Sequence, residues 1–248
     1  MLSQQISYIY AVMDDRQRKA IDYCTRRYLE DVLKMKSFFS MDSKLDQIIN
    51  EEFHDEKLKT VQYATEMMNK ILNGEYRNVN GEEKFFFECD KSVGINFASS
   101  GQQEAVWILN ILYYYMVGKR KTLFIIEEPE THLYPDAQKT MIEFISLVKN
   151  GSNKVVITTH SPYILGNINN LLYATNISMN VDENQLNNII PKEIRVSFDD
   201  LAAFYIEKGK LRNICDSEFR DIDHGVIDGA SSDINNAYED MVNLKERV

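Results

Sequence analysis

Leu123-Phe124-Ile125-Ile126 runs without a break into Glu127-Glu128-Pro129-Glu130. Consecutive apolar residues bounded by charge fit a strand buried on both faces, the kind found in parallel sheets covered by helices. Carboxylates at the end of such a strand are costly to desolvate unless a cation or hydrogen-bond donors compensate them. The chain must therefore either reach the surface there or build a polar site. Ligands of open α/β sheets bind outside the carboxyl ends of the strands. Glu127 is then a candidate direct or water-mediated ligand of Mg²⁺ beside a phosphate, and Glu128 a candidate base for a water. The other reading is a surface turn whose acids cap the next helix.

Around this run the hydrophobic period changes repeatedly. A helix over 101–117, a strand over 122–127, a helix over 135–149, a strand over 154–159, a helix over 162–168 and a strand over 171–174 alternate as in a mostly parallel sheet flanked by helices. Upstream, residues 7–73 read as helical. Ile21, Cys24, Tyr28 and Val32 form one apolar stripe and Val61, Ala64, Met68 and Ile71 another. Asp14-Asp15-Arg16 and Arg26-Arg27 lie off the first stripe and read as solvated face. Residues 84–90 and 93–97 read as a hairpin around Lys91-Ser92, and 203–207 and 210–214 as a second one around Lys208-Gly209. A last helix is expected over 234–244. The domain reading is a helical subdomain over 1–80, an α/β core over 81–200 and a hairpin-and-helix tail over 201–248.

Two further segments carry chemistry. Ala98-Ser99-Ser100-Gly101-Gln102 opens an apolar helix: a serine can cap it with Gln102 or Gln103 reciprocating, and the exposed amides of a helix N-terminus attract anions. A plain capping box is the alternative. The strand 154–159 ends in His160-Ser161-Pro162, where Ser161 caps, Pro162 starts a helix, and His160 can donate to a phosphate or an attacking water. His132 and His160 lack a third partner at metal-ligand spacing, so a transition-metal centre is not expected.

Taken in this order, the three segments resemble the ATP-binding-cassette ATPases, and within them the RecF-, SMC- and OLD-like branch. Ala98–Gln102 is similar to the LSGGQ signature, Ile125–Glu130 to the Walker B strand with its catalytic glutamate, Leu133-Tyr134-Pro135-Asp136 to the D-loop, and His160 to the switch histidine. Glu127 stands where the family usually has aspartate, and Ala98 and Ser100 stand for the leucine and first glycine of the signature. The resemblance implies ATP and Mg²⁺ as cofactors, Glu128 and His160 as catalytic residues, Ser99, Ser100, Gly101 and Gln102 as nucleotide-contacting residues and Glu127 as the Mg²⁺ ligand. It also implies a homodimer of heads that sandwiches ATP, with DNA or an effector nuclease as associated partners in repair or anti-phage defence. A P-loop needs glycines five apart followed by Lys and Ser or Thr, and no pair of the ten glycines has that spacing. The expectation is a C-terminal half whose P-loop lobe is supplied elsewhere, inactive alone.

Composition limits the remaining choices. With 28 basic against 38 acidic residues the net charge is −10, which excludes a broadly basic nucleic-acid surface but not a local patch. The three cysteines, Cys24, Cys89 and Cys215, form no CxxC, so a reducing, cytoplasmic setting and no membrane span are expected. A rival reading is a non-catalytic interaction module, with Trp107, Tyr113-Tyr114-Tyr115 and Phe85-Phe86-Phe87 as interface anchors instead of core.

Overall fold

The computed structural model describes residues 9–39, 55–79, 81–88, 91–118, 121–151 and 153–223, with isolated positions beyond. The expected helix over 234–244 lies largely outside the described residues. The chain forms two compact units, Met1–Thr159 and His160–Val248.

In the first unit, α1 (Asp15–Ala20), α2 (Tyr23–Phe39) and α3 (Asp55–Leu72) precede a meander of β1 (Glu75–Val79), β2 (Glu82–Phe86) and β3 (Ser92–Gly94). Then follow α4 (Ser100–Val117), β4 (Leu123–Glu127), α5 (Pro135–Asn150) and β5 (Lys154–Thr158). Asp14 starts α1 with a full capping box, its side chain accepting from Gln17 N at 2.9 Å. Helix α3 packs against both α4 and α5, and α2 against α4. All four residues of the expected α3 stripe are buried, Ala64 completely. The α2 stripe is corrected in part: Val32 is buried as expected, but Cys24 and Tyr28 are exposed, and Leu29 and Met35 are buried in their place. Period alone fixes that a stripe exists, while the neighbour α4 fixes which side of α2 it occupies.

The expected first hairpin forms, with Lys84 opposite Gly94 and Phe85 opposite Val93. Strand β1 adds to it, pairing Tyr76 with Phe85. Charged residues interrupt the alternation in Glu75-Tyr76-Arg77-Asn78-Val79, which hid this strand from pattern reading. Phe85, Trp107, Tyr113 and Tyr115 are buried, so these members of the aromatic clusters are core residues and not exposed anchors.

Strands β4 and β5 pair in parallel, Glu127 opposite Thr158. The architecture is α/β, but parallel pairing among the described residues is confined to these two strands, and the other sheets are antiparallel. Phe124 and Ile126 are buried while Leu123, Ile125 and Val156 are 57%, 68% and 49% exposed. Among the described residues, then, one face of the pair is covered and the other is open.

In the second unit, α6 (Pro162–Ile177) and α7 (Glu183–Ile189) precede the hairpin of β6 (Phe204–Glu207) and β7 (Lys210–Asn213) and the short pair β8 (Cys215–Asp216) and β9 (Asp221–Ile222). The strand expected over 171–174 is corrected to helix: α6 continues through it, burying Leu171, Leu172 and Ala174. A short apolar run is compatible with either state, and the capped start at Ser161-Pro162 decides for helix. Asn169 then pairs with the backbone of β9, donating to Ile222 O and accepting from Ile222 N, both at 2.8 Å. The second hairpin forms with Ile206 opposite Leu211.

Candidate functional site

The carboxyl ends of β4 and β5 are tied by the loop that follows β4. Glu128 N donates to Thr158 O at 2.9 Å, and Thr159 Oγ1 donates to Glu130 Oε1 at 2.6 Å. Between these two staples the chain turns tightly, with Thr131 N bonding to Glu128 O and Leu133 N to Glu130 O, both at 3.0 Å. Glu128 has φ 45° and His132 φ 59°, a left-handed conformation that costs a residue with a Cβ about 1–2 kcal/mol. Such strain persists where surrounding bonds fix it, and it concentrates at functional positions. Here the bonds to β5 hold Glu128 in place. Its carboxylate is exposed, with Thr131 Oγ1 at 3.4 Å.

Glu127 is the last residue of β4 and is exposed beside Thr158. Glu130, by contrast, is buried. The three acids thus divide: two reach solvent at the strand end and the third fastens the loop. Among the described residues there is no group of three or more His, Cys, Asp or Glu able to hold a metal ion. The exposed carboxylates at the strand end fit Mg²⁺, which commonly takes one or two carboxylates and completes its shell with water and phosphate oxygens; Glu127 is the residue that could hold it.

Ser99 caps α4 as expected. Its Oγ accepts from Gln102 N at 3.3 Å, and Gln102 Oε1 accepts from Ser99 N at 3.1 Å. Gln102 also donates through Nε2 to Leu72 O at 2.6 Å, so it fastens the helix start to the end of α3. Ser99 and Ser100 are exposed, while Gly101 is buried. A Cβ on Gly101 would lie 2.4 Å from His132 O. The signature-like segment and the loop after β4 are therefore in backbone contact, and only glycine allows the approach. His132 Nε2 lies 3.8 Å from Glu104 Oε1, a second link between the same two segments. His160 is exposed at the start of the second unit, and Ser161 caps α6 by accepting from Tyr163 N at 3.2 Å.

Sequence reading missed the Glu130–Thr159 bond and the glycine contact. The signal for the first was the polar Thr158-Thr159 pair at the end of an apolar strand; the second had none, because it links segments 31 residues apart.

Residues 11–165 match the AAA ATPase domain family. The chain belongs to that family. The match covers α1 through the start of α6, including both segments just described, and supports an ATPase-type function with the ATP and Mg²⁺ use general to it. Comparison with curated proteins returned no match. No helix among the described residues is long and apolar enough to cross a membrane.

Proposed function

We propose that this chain supplies the signature, Walker B, D-loop and switch-histidine elements of an ABC-type ATPase of the RecF/SMC/OLD-like branch, and that a P-loop lobe or subunit completes its nucleotide site. The carrying observation is the parallel pair β4–β5, with carboxylates at its open end and one uncovered apolar face. Parallel sheets are stable when both faces are covered, and two strands alone are marginal. A lobe seated on Leu123, Ile125 and Val156 would cover that face and bring a phosphate-binding loop to the edge where Glu127 and Glu128 stand.

In this reading Glu127 would hold Mg²⁺, which when bound would supply positive charge beside the phosphates. Glu128 accepts a proton from the attacking water as that water adds in line to the γ-phosphorus and the bond to ADP breaks. His160 donates a hydrogen bond to the phosphate or the water. Ser99, Ser100, Gly101 and Gln102 present the N-terminus of α4 to the γ-phosphate held by a second head, so that ATP joins two heads and hydrolysis releases them. The domain division belongs to the same proposal: an inserted helical subdomain over 1–80, the ATPase core over 81–200 and the tail over 201–248. By resemblance the work driven is DNA-associated, in repair or in anti-phage defence beside an effector nuclease, and the setting is cytoplasmic.

Calorimetry tests the half-site directly. The chain alone should bind ATP·Mg²⁺ weakly or not at all, and micromolar binding would overturn the shared site. In the reconstituted two-lobe protein, Glu128→Gln should retain ATP binding and lower turnover about 10²- to 10⁴-fold, whereas His160→Ala should lower hydrolysis more than binding. Ser99→Arg should block ATP-dependent dimerisation without unfolding the head, because a cation there opposes the helix dipole. Unchanged turnover in Glu128→Gln would move the base to another residue, and undiminished dimerisation in Ser99→Arg would leave Ala98–Gln102 a plain helix cap. Absence of both ATP binding and turnover in the reconstituted protein would favour the non-catalytic interaction module.

A further inference from the structure

A cavity of about 290 Å³ opens between α1 and the first turns of α2, far in sequence from Glu127 and Glu128. Four cations line it, Arg18, Lys19, Arg26 and Arg27, against two carboxylates, Asp15 and Glu30. One cation is already compensated: Arg27 Nε lies 3.3 Å from Asp31 Oδ2 and its Nη1 lies 3.9 Å from Glu30 Oε2. Glu30 also accepts from Tyr10 Oη at 3.3 Å, and Asp15 sits in the first turn of α1, where the helix dipole favours it. Arg18, Lys19 and Arg26 make no ion pair with a carboxylate among the described residues. Arg18 is aimed rather than free-swinging: its Nη2 donates to Ala11 O at 3.1 Å, its guanidinium lies 5.0 Å from the Tyr10 ring, and its Nε is buried without a hydrogen-bond partner.

Around this concavity cations outnumber carboxylates four to two, in a chain of net charge −10, and that local excess favours an anion. The second element is aromatic. Tyr23 lines the same cavity, is 71% exposed, and has the Arg26 guanidinium 5.8 Å from its ring centre. An exposed tyrosine flanked by guanidinium is a platform on which a nucleobase stacks, and the cations track the attached phosphate. The volume is at the small end of ligand pockets, which suits one such unit. Sequence reading placed Arg26-Arg27 on a solvated face; the fold gathers that pair with Arg18 and Lys19 from the preceding helix.

We propose that this pocket binds a nucleotide unit, its phosphate between Arg18, Lys19 and Arg26 and its base on Tyr23. A free mononucleotide and one nucleotide of a single strand offer the same chemistry. The inference does not depend on the ATPase reading, since it uses none of the residues assigned there.

The test uses the whole chain with two probes, AMP by calorimetry and fluorescein-labelled oligo(dT) by anisotropy. Binding by AMP as well as oligo(dT) would identify a free-nucleotide site, and binding by oligo(dT) alone a strand site; both support the proposal. Tyr23→Ala should weaken binding about 5- to 150-fold, with Tyr23→Phe restoring it. Arg26→Ala should make the dependence of log K on log salt shallower by about 0.7 per phosphate contact, with Arg26→Lys restoring it. Circular dichroism verifies that each variant is folded. The proposal is overturned if neither probe saturates at millimolar concentration, if Tyr23→Ala binds as wild type does, or if polyglutamate binds as tightly as oligo(dT).

Discussion

Strands β4 and β6 carry comparable apolar side chains and end in opposite circumstances. In β4, Phe124 and Ile126 are each 8% exposed, and Phe124 meets the Tyr115 ring edge-on at 5.4 Å. In β6 every residue is exposed, although Phe204 and Ile206 share one face with Leu211 from β7. Alternation decides which side chains point together, but it does not decide whether anything covers them. Tyr115 of α4 covers Phe124 on one face of β4, and the bond from Glu128 N to Thr158 O closes the strand where Glu127 and Glu128 stand.

The largest effect should come from cutting into that covered face. Phe124→Ala is expected to cost about 3–5 kcal/mol, while Phe204→Ala should stay within about 0.5 kcal/mol. Urea unfolding followed by fluorescence of the single, buried Trp107 reports the first unit, and circular dichroism the whole chain. Equal losses in the two variants would break the contrast.

Tyr115 sharpens it next. Its hydroxyl is pushed up to about 12 by burial and by its hydrogen bond to Asp31. Unfolded tyrosine ionises near 10, so between these values the folded chain keeps a proton that the unfolded chain has lost. The stabilisation is intact below about pH 10 and disappears as the pH approaches 12. Tyr115→Phe should cost about 1.5–3 kcal/mol at neutral pH and flatten the decline of the melting temperature over that interval. Parallel declines in both proteins would remove Tyr115 from the account.

Gly101→Ala tests the contact between α4 and the loop after β4. The new Cβ would meet a backbone oxygen at 2.4 Å, so the loop must move, at about 1–3 kcal/mol. The amide resonances of 131–133 should shift in nitrogen-proton spectra; unshifted resonances at full stability would show that the contact is loose.

The smallest effect compares two left-handed residues. Lys208, φ 49°, precedes Gly209, φ 74°, in a two-residue hairpin loop, where such angles match the twist of the strands. Glu128, φ 45°, has no such turn to account for it. Glycine at either position should raise stability by at most about 1 kcal/mol, relief of the Cβ contact being offset by chain entropy. A clear loss in Glu128→Gly by urea titration would show that its side chain contributes to folding, against a role reserved for chemistry.

Much of the site was legible in one dimension. The capping box at Ser99, the strand from Leu123 to Glu127 and the start of α6 at Ser161-Pro162 depend on neighbours three or four residues away, and local chemistry specifies them. The helical face of α2 was legible only in part: Val32 lies on the expected face, but Cys24 and Tyr28 fit the same period, and packing against α4 buries Leu29 and Met35 in their place. Strand β1 was not legible, because its charged residues obey cross-strand partners and not periodicity.

The sequence by itself determined the elements that close on themselves: capped helices, the Lys208-Gly209 turn, and an apolar run that must end where carboxylates begin. Their energies come from bonds and dihedral preferences within a few residues, so the order of residues suffices. Only the tertiary structure decided that Gly101 lies against the His132 carbonyl, that Thr159 holds Glu130 while Glu127 and Glu128 remain open, and that Arg18 and Lys19 join Arg26. Those outcomes depend on which surfaces are desolvated together, and desolvation is a property of neighbours in space that no stretch of chain contains alone.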